Sequence, residues 1–203
     1  MSDYFYRPSE GHGLAHDPFN AIVAPRPIGW ISSLSQNGIP NLAPYSFFNA
    51  FGYVPPLIGF SSVGRKDSLE NIEATGEFVW NLASRQLAMQ MNLSCSSVGP
   101  EVDEFDLAGL TTAAFQEVSV PRVGEALVAL ECRLAQIVEL RTASGAASGN
   151  WLVTGEVVGV HIDESLLEEG VYNTLKGDPI LRGGGPGDYF TLSDAQRFVM
   201  LRP

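Results

Sequence analysis

Charge is scarce in this chain of 203 residues. Asp, Glu, Lys and Arg make up only 17% of it, against about 25% in an average soluble domain, while apolar residues make up 45%. So apolar a chain can bury enough surface to exclude disorder, and its shortage of charge points to further surface covered by a second copy. Basic residues are scarcer still, 12 against 23 acids for a formal charge of −11, which argues against nucleic acid or an anionic membrane as partner. The two cysteines, Cys95 and Cys132, are too few for a disulfide framework and lack metal-ligand spacing, so both read as reduced thiols. No apolar run approaches the roughly 18 residues of a membrane span, and residues 1–13 lack the apolar centre of a secretion signal. A cytoplasmic location is expected. Paired carboxylates and nucleophile constellations are missing as well. His12 and His16 fail as a metal pair, because Gly13 weakens any helix that would join them and no third ligand is nearby.

What remains is mostly β. Pro and Gly punctuate the sequence at short intervals without repeats, as in a chain of short strands and turns. Residues 127–140 alternate Val128, Leu130, Cys132, Leu134, Val138 and Leu140 with Glu131, Arg133 and Glu139, a long half-buried strand. A second long strand over 151–163 places Val158, Val160 and Ile162 on one face and Trp151, Val153, Val157 and His161 on the other. Strands this long suit a barrel better than a flat sandwich. Residues 28–34 and 39–42 form a hairpin through Gln36-Asn37-Gly38, where Asn-Gly supplies the positive φ angles of a tight turn. Further strands are expected at 46–51, 57–62 and 78–83. Residues 67–75 read as a helix capped by Asp67, with Glu70 at the capping-box position and Gly76 as the stop; a second helix covers 84–93. No linker interrupts these elements, so residues 1–203 are read as one domain.

An acidic protein that binds an anion must concentrate its few cations. Between Arg26 and Arg85 they are only Arg65 and Lys66, in Ser61-Ser62-Val63-Gly64-Arg65-Lys66-Asp67-Ser68, after a strand and before a helix N-terminus. Hydroxyls, two cations and free helix N–H groups suit a phosphate; a plain surface turn has the same spacing. A second constellation interleaves hydroxyls and amides with aromatics and prolines: Pro25-Arg26-Pro27-Ile28-Gly29-Trp30-Ile31-Ser32-Ser33, then Asn41-Leu42-Ala43-Pro44-Tyr45-Ser46-Phe47-Phe48-Asn49. That mixture suits the rim of a flat heteroaromatic ligand, and equally ordinary strand contacts.

These blocks, with Phe60-Ser61-Ser62, Lys66-Asp67-Ser68-Leu69-Glu70-Asn71-Ile72, Gly76-Glu77-Phe78-Val79-Trp80-Asn81-Leu82, Asp103-Glu104-Phe105, Ala108-Gly109-Leu110, Ala129-Leu130-Glu131-Cys132 and Gly155-Glu156-Val157-Val158-Gly159-Val160-His161-Ile162-Asp163, resemble the flavin reductase-like family over roughly residues 19–189. The resemblance implies an antiparallel Greek-key split β-barrel with a few short helices, and a homodimer holding FMN at the subunit interface. It places the flavin phosphate and ribityl chain at Ser61, Ser62, Arg65, Lys66 and Ser68, and the ring against Trp30, Ser32, Ser33, Asn41, Ala43, Pro44 and Ser46. His161 matches a position near the flavin or nicotinamide, the candidate catalytic residue; a lone strand histidine is also a common structural residue. Two departures stand out: Glu70, where many members carry a basic or neutral residue, and the loop Arg182-Gly183-Gly184-Gly185-Pro186-Gly187-Asp188-Tyr189, richer in glycine than the family's. The function implied is NAD(P)H-dependent flavin reduction, with hydride passing from NADH or NADPH to flavin N5 and reduced flavin to a partner such as a monooxygenase. The alternatives are a flavoredoxin-like FMN electron carrier and a non-catalytic barrel that binds flavin or haem.

Overall fold

The computed structural model describes residues 2–201. Seven strands build the sheet: β1 (Gly29–Leu34), β2 (Pro40–Tyr45), β3 (Phe48–Tyr53), β4 (Pro56–Val63), β5 (Glu77–Asn81), β6 (Val128–Arg141) and β7 (Ala147–Ile162). Their order is β2-β1-β5-β6-β7-β4-β3, antiparallel throughout. The two end strands, β2 and β3, are separated in the chain only by Ser46 and Phe47, so the sheet must curl until its edges meet. Ser61 N donates to Phe47 O at 2.8 Å, carrying the β3–β4 ladder one residue back into this two-residue link. The result is the expected split barrel.

Alternation along β1 divides the core in two. Ile31 points into the barrel with Ile58, Phe60, Phe78, Cys132 and Val153. Helix α1 (Asp67–Thr75) stops one end of this interior with Leu69 and Ile72, both fully buried. Trp30 points outward, where Leu42, Met91 and Phe105 join it beneath helices α2 (Ala88–Leu93) and α3 (Glu104–Ala108). Burial of the Cys132 thiol raises its pKa, so it is inert packing rather than a nucleophile.

Local signals survive with corrections. The first hairpin turns as expected, but only Gly38 takes a positive φ, +79°; Gly38 N donates to Ser35 O and Ser35 N to Ile39 O, both at 2.9 Å, a longer loop than a two-residue Asn-Gly turn. Lys66, not Asp67, occupies the N-cap of α1, and no side chain caps it. The second helix starts at Ala88 rather than 84, because the Ser84 backbone is bridged to Pro179.

The consequential correction lies on β7. Val157 pairs with Cys132 but Gly159 pairs with Glu131, so the ladder slips between them, and a bulge of this kind reverses the faces beyond it. Trp151, Val153 and Val157 pack into the barrel interior. His161 does not share their face: it stands outside, its Nε2 donating to Glu131 Oε1.

The glycine-rich loop is firmly held. Arg26, buried, donates to Ser46 O and Gly183 O, each at 3.1 Å, and Arg182 donates to Gly185 O at 3.0 Å and Asp188 O at 2.8 Å. At Gly184 a Cβ would lie 2.4 Å from that of Ala21, so only glycine closes this contact. Among the described residues no helix is long and apolar enough to cross a membrane.

Candidate functional site

Where the β2 edge, the end of β4 and the start of α1 converge, the surface opens into a groove of about 500 Å³, within the range of small-molecule sites, about 300–1,000 Å³. Of the residues assigned above, Asn41, Ala43, Pro44, Ser46, Ser61, Lys66 and Ser68 line it. One wall is thus the edge strand, and opposite it stands the helix N-terminus.

That N-terminus is open to an anion. The first helical bond runs from Glu70 N to Lys66 O, which leaves the N–H groups of Asp67, Ser68 and Leu69 without a partner in the helix, and no side chain caps them. Lys66 and the Ser61 hydroxyl stand beside them, and Ser68 adds its backbone N–H, its hydroxyl proton being given to Asn41 Oδ1. This donor set fits a phosphate. The acids in the groove are Asp67 and Glu104; Glu70 is exposed and lies outside it.

Behind the groove runs a buried polar network. Asp103 caps α3 by accepting from Phe105 N at 2.8 Å, which sets Glu104 in the first turn, 5% exposed. The Glu104 carboxylate accepts from Asn41 Nδ2 at 3.1 Å through both oxygens and from Leu42 N at 3.0 Å. Asn41 Oδ1 in turn accepts from Ser68 Oγ at 2.7 Å and Ser33 Oγ at 3.2 Å. Burial raises the Glu104 carboxyl above its ordinary range against the lowering effect of these bonds, and the charge of Asp67 adds to the rise. Glu104 therefore fixes which way the Asn41 amide faces the groove. In Glu104→Gln an amide NH2 in place of Oε1 would meet Asn41 Nδ2, donor against donor. This change is expected to weaken flavin binding by about 1–3 kcal/mol, read by titration of the purified variant, with a parent-like circular dichroism spectrum.

Other assigned residues lie elsewhere. Trp30, Ser32 and Ser33 are fully buried on β1, a strand covered on both faces: Trp30 Nε1 donates to Ser94 Oγ at 3.0 Å and Ser32 Oγ to Pro121 O at 2.7 Å. Ser62 is buried, its hydroxyl donating to Gly64 O at 2.9 Å. The Arg65 guanidinium pairs with Glu73 and lies 5.1 Å over the Trp151 ring, outside the groove lining. His161 lies beyond Glu156, the last β7 residue paired to β4, beneath residues 116–118, and does not line the groove. Conversely, the wall formed by Ser94, Cys95, Ser96, Ser97 and Val98, together with Glu104, carried no assignment. The only signal was a run of small polar residues after a helix.

An antiparallel split barrel with a groove of hydroxyls, one lysine and an uncapped helix N-terminus is the framework of a small-ligand protein. The chain belongs to the flavin reductase-like domain family, whose profile matches residues 23–178. An uncharacterized protein of Aquifex aeolicus is 36% identical over 170 residues, covering 81% of this chain and 83% of that protein. Among solved structures, nitrilotriacetate monooxygenase component B of Bacillus cereus is 31% identical with a TM-score of 0.86, covering 98% of this chain and 100% of that one. The 2-nitrobenzoate 2-nitroreductase of Pseudomonas fluorescens is also 31% identical, with a TM-score of 0.80 over 90% of this chain and 88% of that one.

Proposed function

We propose that this chain is an FMN-dependent flavin reductase that takes hydride from NADH or NADPH and supplies reduced flavin to a partner such as a monooxygenase. The observation that carries the reading is the phosphate-fitting corner of the groove, where Lys66, Ser61 and Ser68 surround the uncapped start of α1, in a chain of the flavin reductase-like family. Bound flavin would supply the redox chemistry, with N5 as hydride acceptor. The protein's own part is to bind and orient. Lys66 and the α1 N–H groups neutralise the phosphate, and Ala43, Pro44 and Ser46 present the β2 edge to the ligand. Asn41 is held in one orientation by Glu104. A sequence without paired carboxylates agrees with this chemistry, since hydride transfer to flavin needs no obligatory side-chain acid or base. The similarity to a monooxygenase component B supports the choice of partner.

Stopped-flow mixing of FMN-loaded protein with each nicotinamide tests the reading. Fast bleaching by one of them is expected. Slow bleaching with rapid electron exchange to an acceptor protein would instead define a flavoredoxin-like carrier, and failure to take up FMN would remove the proposal.

The protein is also proposed to be a homodimer, on its low charge content and its large exposed apolar residues, among them Phe51, Tyr53 and Val54 at the β3 edge. Light scattering at micromolar concentration with flavin present should give twice the chain mass of 21.9 kDa.

A further inference from the structure

The C-terminal segment has no visible reason to stay where it is. Every residue from 191 to 201 is exposed. Among the described residues its hydrogen bonds are its own: Gln196 N to Ser193 O, Arg197 N to Asp194 O and Ser193 Oγ to Gln196 Oε1. It carries four consecutive large apolar residues, Phe198, Val199, Met200 and Leu201, exposed by 75–85%. A monomer gains nothing by holding such a run in water.

Beside the root of this segment lies a cleft of about 1020 Å³, larger than the groove and sharing no residue with it. Its walls are the hairpin of Leu167–Glu168 and Val171–Tyr172 on one side and Leu192, Ser193, Gln196 and Arg197 on the other. Val171, Tyr172 and Leu192 give it apolar surface, exposed by 68%, 37% and 40%. Glu168 and Glu169 stand at the hairpin tip; Glu168 is paired with Lys176 at 2.7 Å, and Glu169 has no ion pair among the described residues.

We propose that residues 198–201 form an arm that docks in the corresponding cleft of a second copy of this chain, reciprocally about a two-fold axis. The proposal rests on the homodimer reading and names its surface. Charge agrees: in a chain with 12 bases among 203 residues, an arginine follows the apolar quartet in sequence at 202, and the cleft presents Glu169, which has no ion pair among the described residues. Area agrees too. Four such side chains carry on the order of 300–500 Å² of apolar surface; two arms and the equal areas of wall they cover come to roughly 1,200–2,000 Å², the size of a stable interface. The own-chain arm does not fill its own cleft, because Leu192 to Arg197 already form one of its walls.

Light scattering and sedimentation of the full chain, of a chain ending at Arg197, and of Phe198→Asp with Met200→Asp test the arm. The parent should be a dimer, and both altered chains should dissociate with a constant raised roughly 100-fold or more. Each should keep the parent's near-ultraviolet circular dichroism. Glu169→Arg should weaken the dimer in the same direction, and Arg202→Glu in that background should restore it. A monomeric parent overturns the homodimer reading itself. A dimeric parent whose shortened and charged variants dimerise as well as it does overturns the arm alone, as does dissociation confined to variants whose circular dichroism is lost.

Discussion

Replacing Glu131 by alanine is expected to lower the folding free energy by about 3–5 kcal/mol, the cost of breaking a buried charged cluster, and to lower the melting temperature by roughly 6–20 °C. Glu131 is fully buried. Its carboxylate accepts from Gln116 N at 2.9 Å, Glu117 N at 2.7 Å and Val118 N at 2.9 Å, and from His161. Alanine leaves three backbone donors without acceptors and frees the segment they hold against Val79 and Ala129. Burial by itself would raise the Glu131 carboxyl, but the bonds from His161, Glu117, Gln116 and Val118 outweigh it and hold the group below its ordinary value of 4.5. The sign follows: this stabilisation is complete above that value and is lost as the pH falls through the lower value of the folded state. The stability gap between parent and variant should therefore be widest near neutral pH and narrow as the pH falls through the acid limb; a gap that does not change with pH would refute the role. His161→Ala removes only one of the four partners, and should cost about 1.5–3 kcal/mol while leaving single-turnover flavin reduction at the parental rate. A slowed hydride transfer with unchanged melting would return His161 to the chemistry.

Lys66→Ala should weaken FMN by about 1.5–3 kcal/mol, the worth of a hydrogen bond to a charged group, or roughly 10- to 150-fold in the dissociation constant. Riboflavin, which has no phosphate, should bind parent and variant alike. The argument is one of supply. Among the described groove residues Lys66 is the sole cation, since Arg65 is engaged by Glu73 and Trp151, and Asp67 and Glu104 bring negative charge to the same walls. Removing the lysine leaves the phosphate facing two acids with only the α1 N–H groups and hydroxyls to hold it. Arg65→Ala should change affinity by no more than a few-fold. Calorimetry with FMN and riboflavin on the two variants separates these outcomes, and equal FMN binding by Lys66→Ala and parent would remove the cradle.

Period-2 alternation was enough to find β6 and β7 and to orient the first half of β7, because β7 pairs with β4 without a slip from Asn150 to Glu156 and Trp151, Val153 and Val157 all pack into the barrel. Likewise Gly76, in the left-handed region, ends α1 where the sequence said it would. These are local quantities: a pleat fixes which neighbours share a face, and a missing Cβ fixes where a helix stops. The side of the sheet on which His161 stands is not local. It depends on the slip between Val157 and Gly159, created by how β6 pairs with β7, and one residue of slip reverses every face beyond it. The groove is the same kind of fact. Lys66 and Ser68, read as a candidate cradle from their place between strand and helix, line the groove, whereas Trp30, Ser32 and Ser33, read as equally suitable, lie buried, because the topology sets β1 between β2 and β5 and covers it with helices. Residues 94–98 and Glu104 reach the site from segments far along the chain, and no spacing in a sequence records which distant segments barrel closure will bring together. Sequence determined the elements and the chemical character of the site. The closed sheet decided its membership, since burial and contact are properties of paired strands rather than of neighbouring residues.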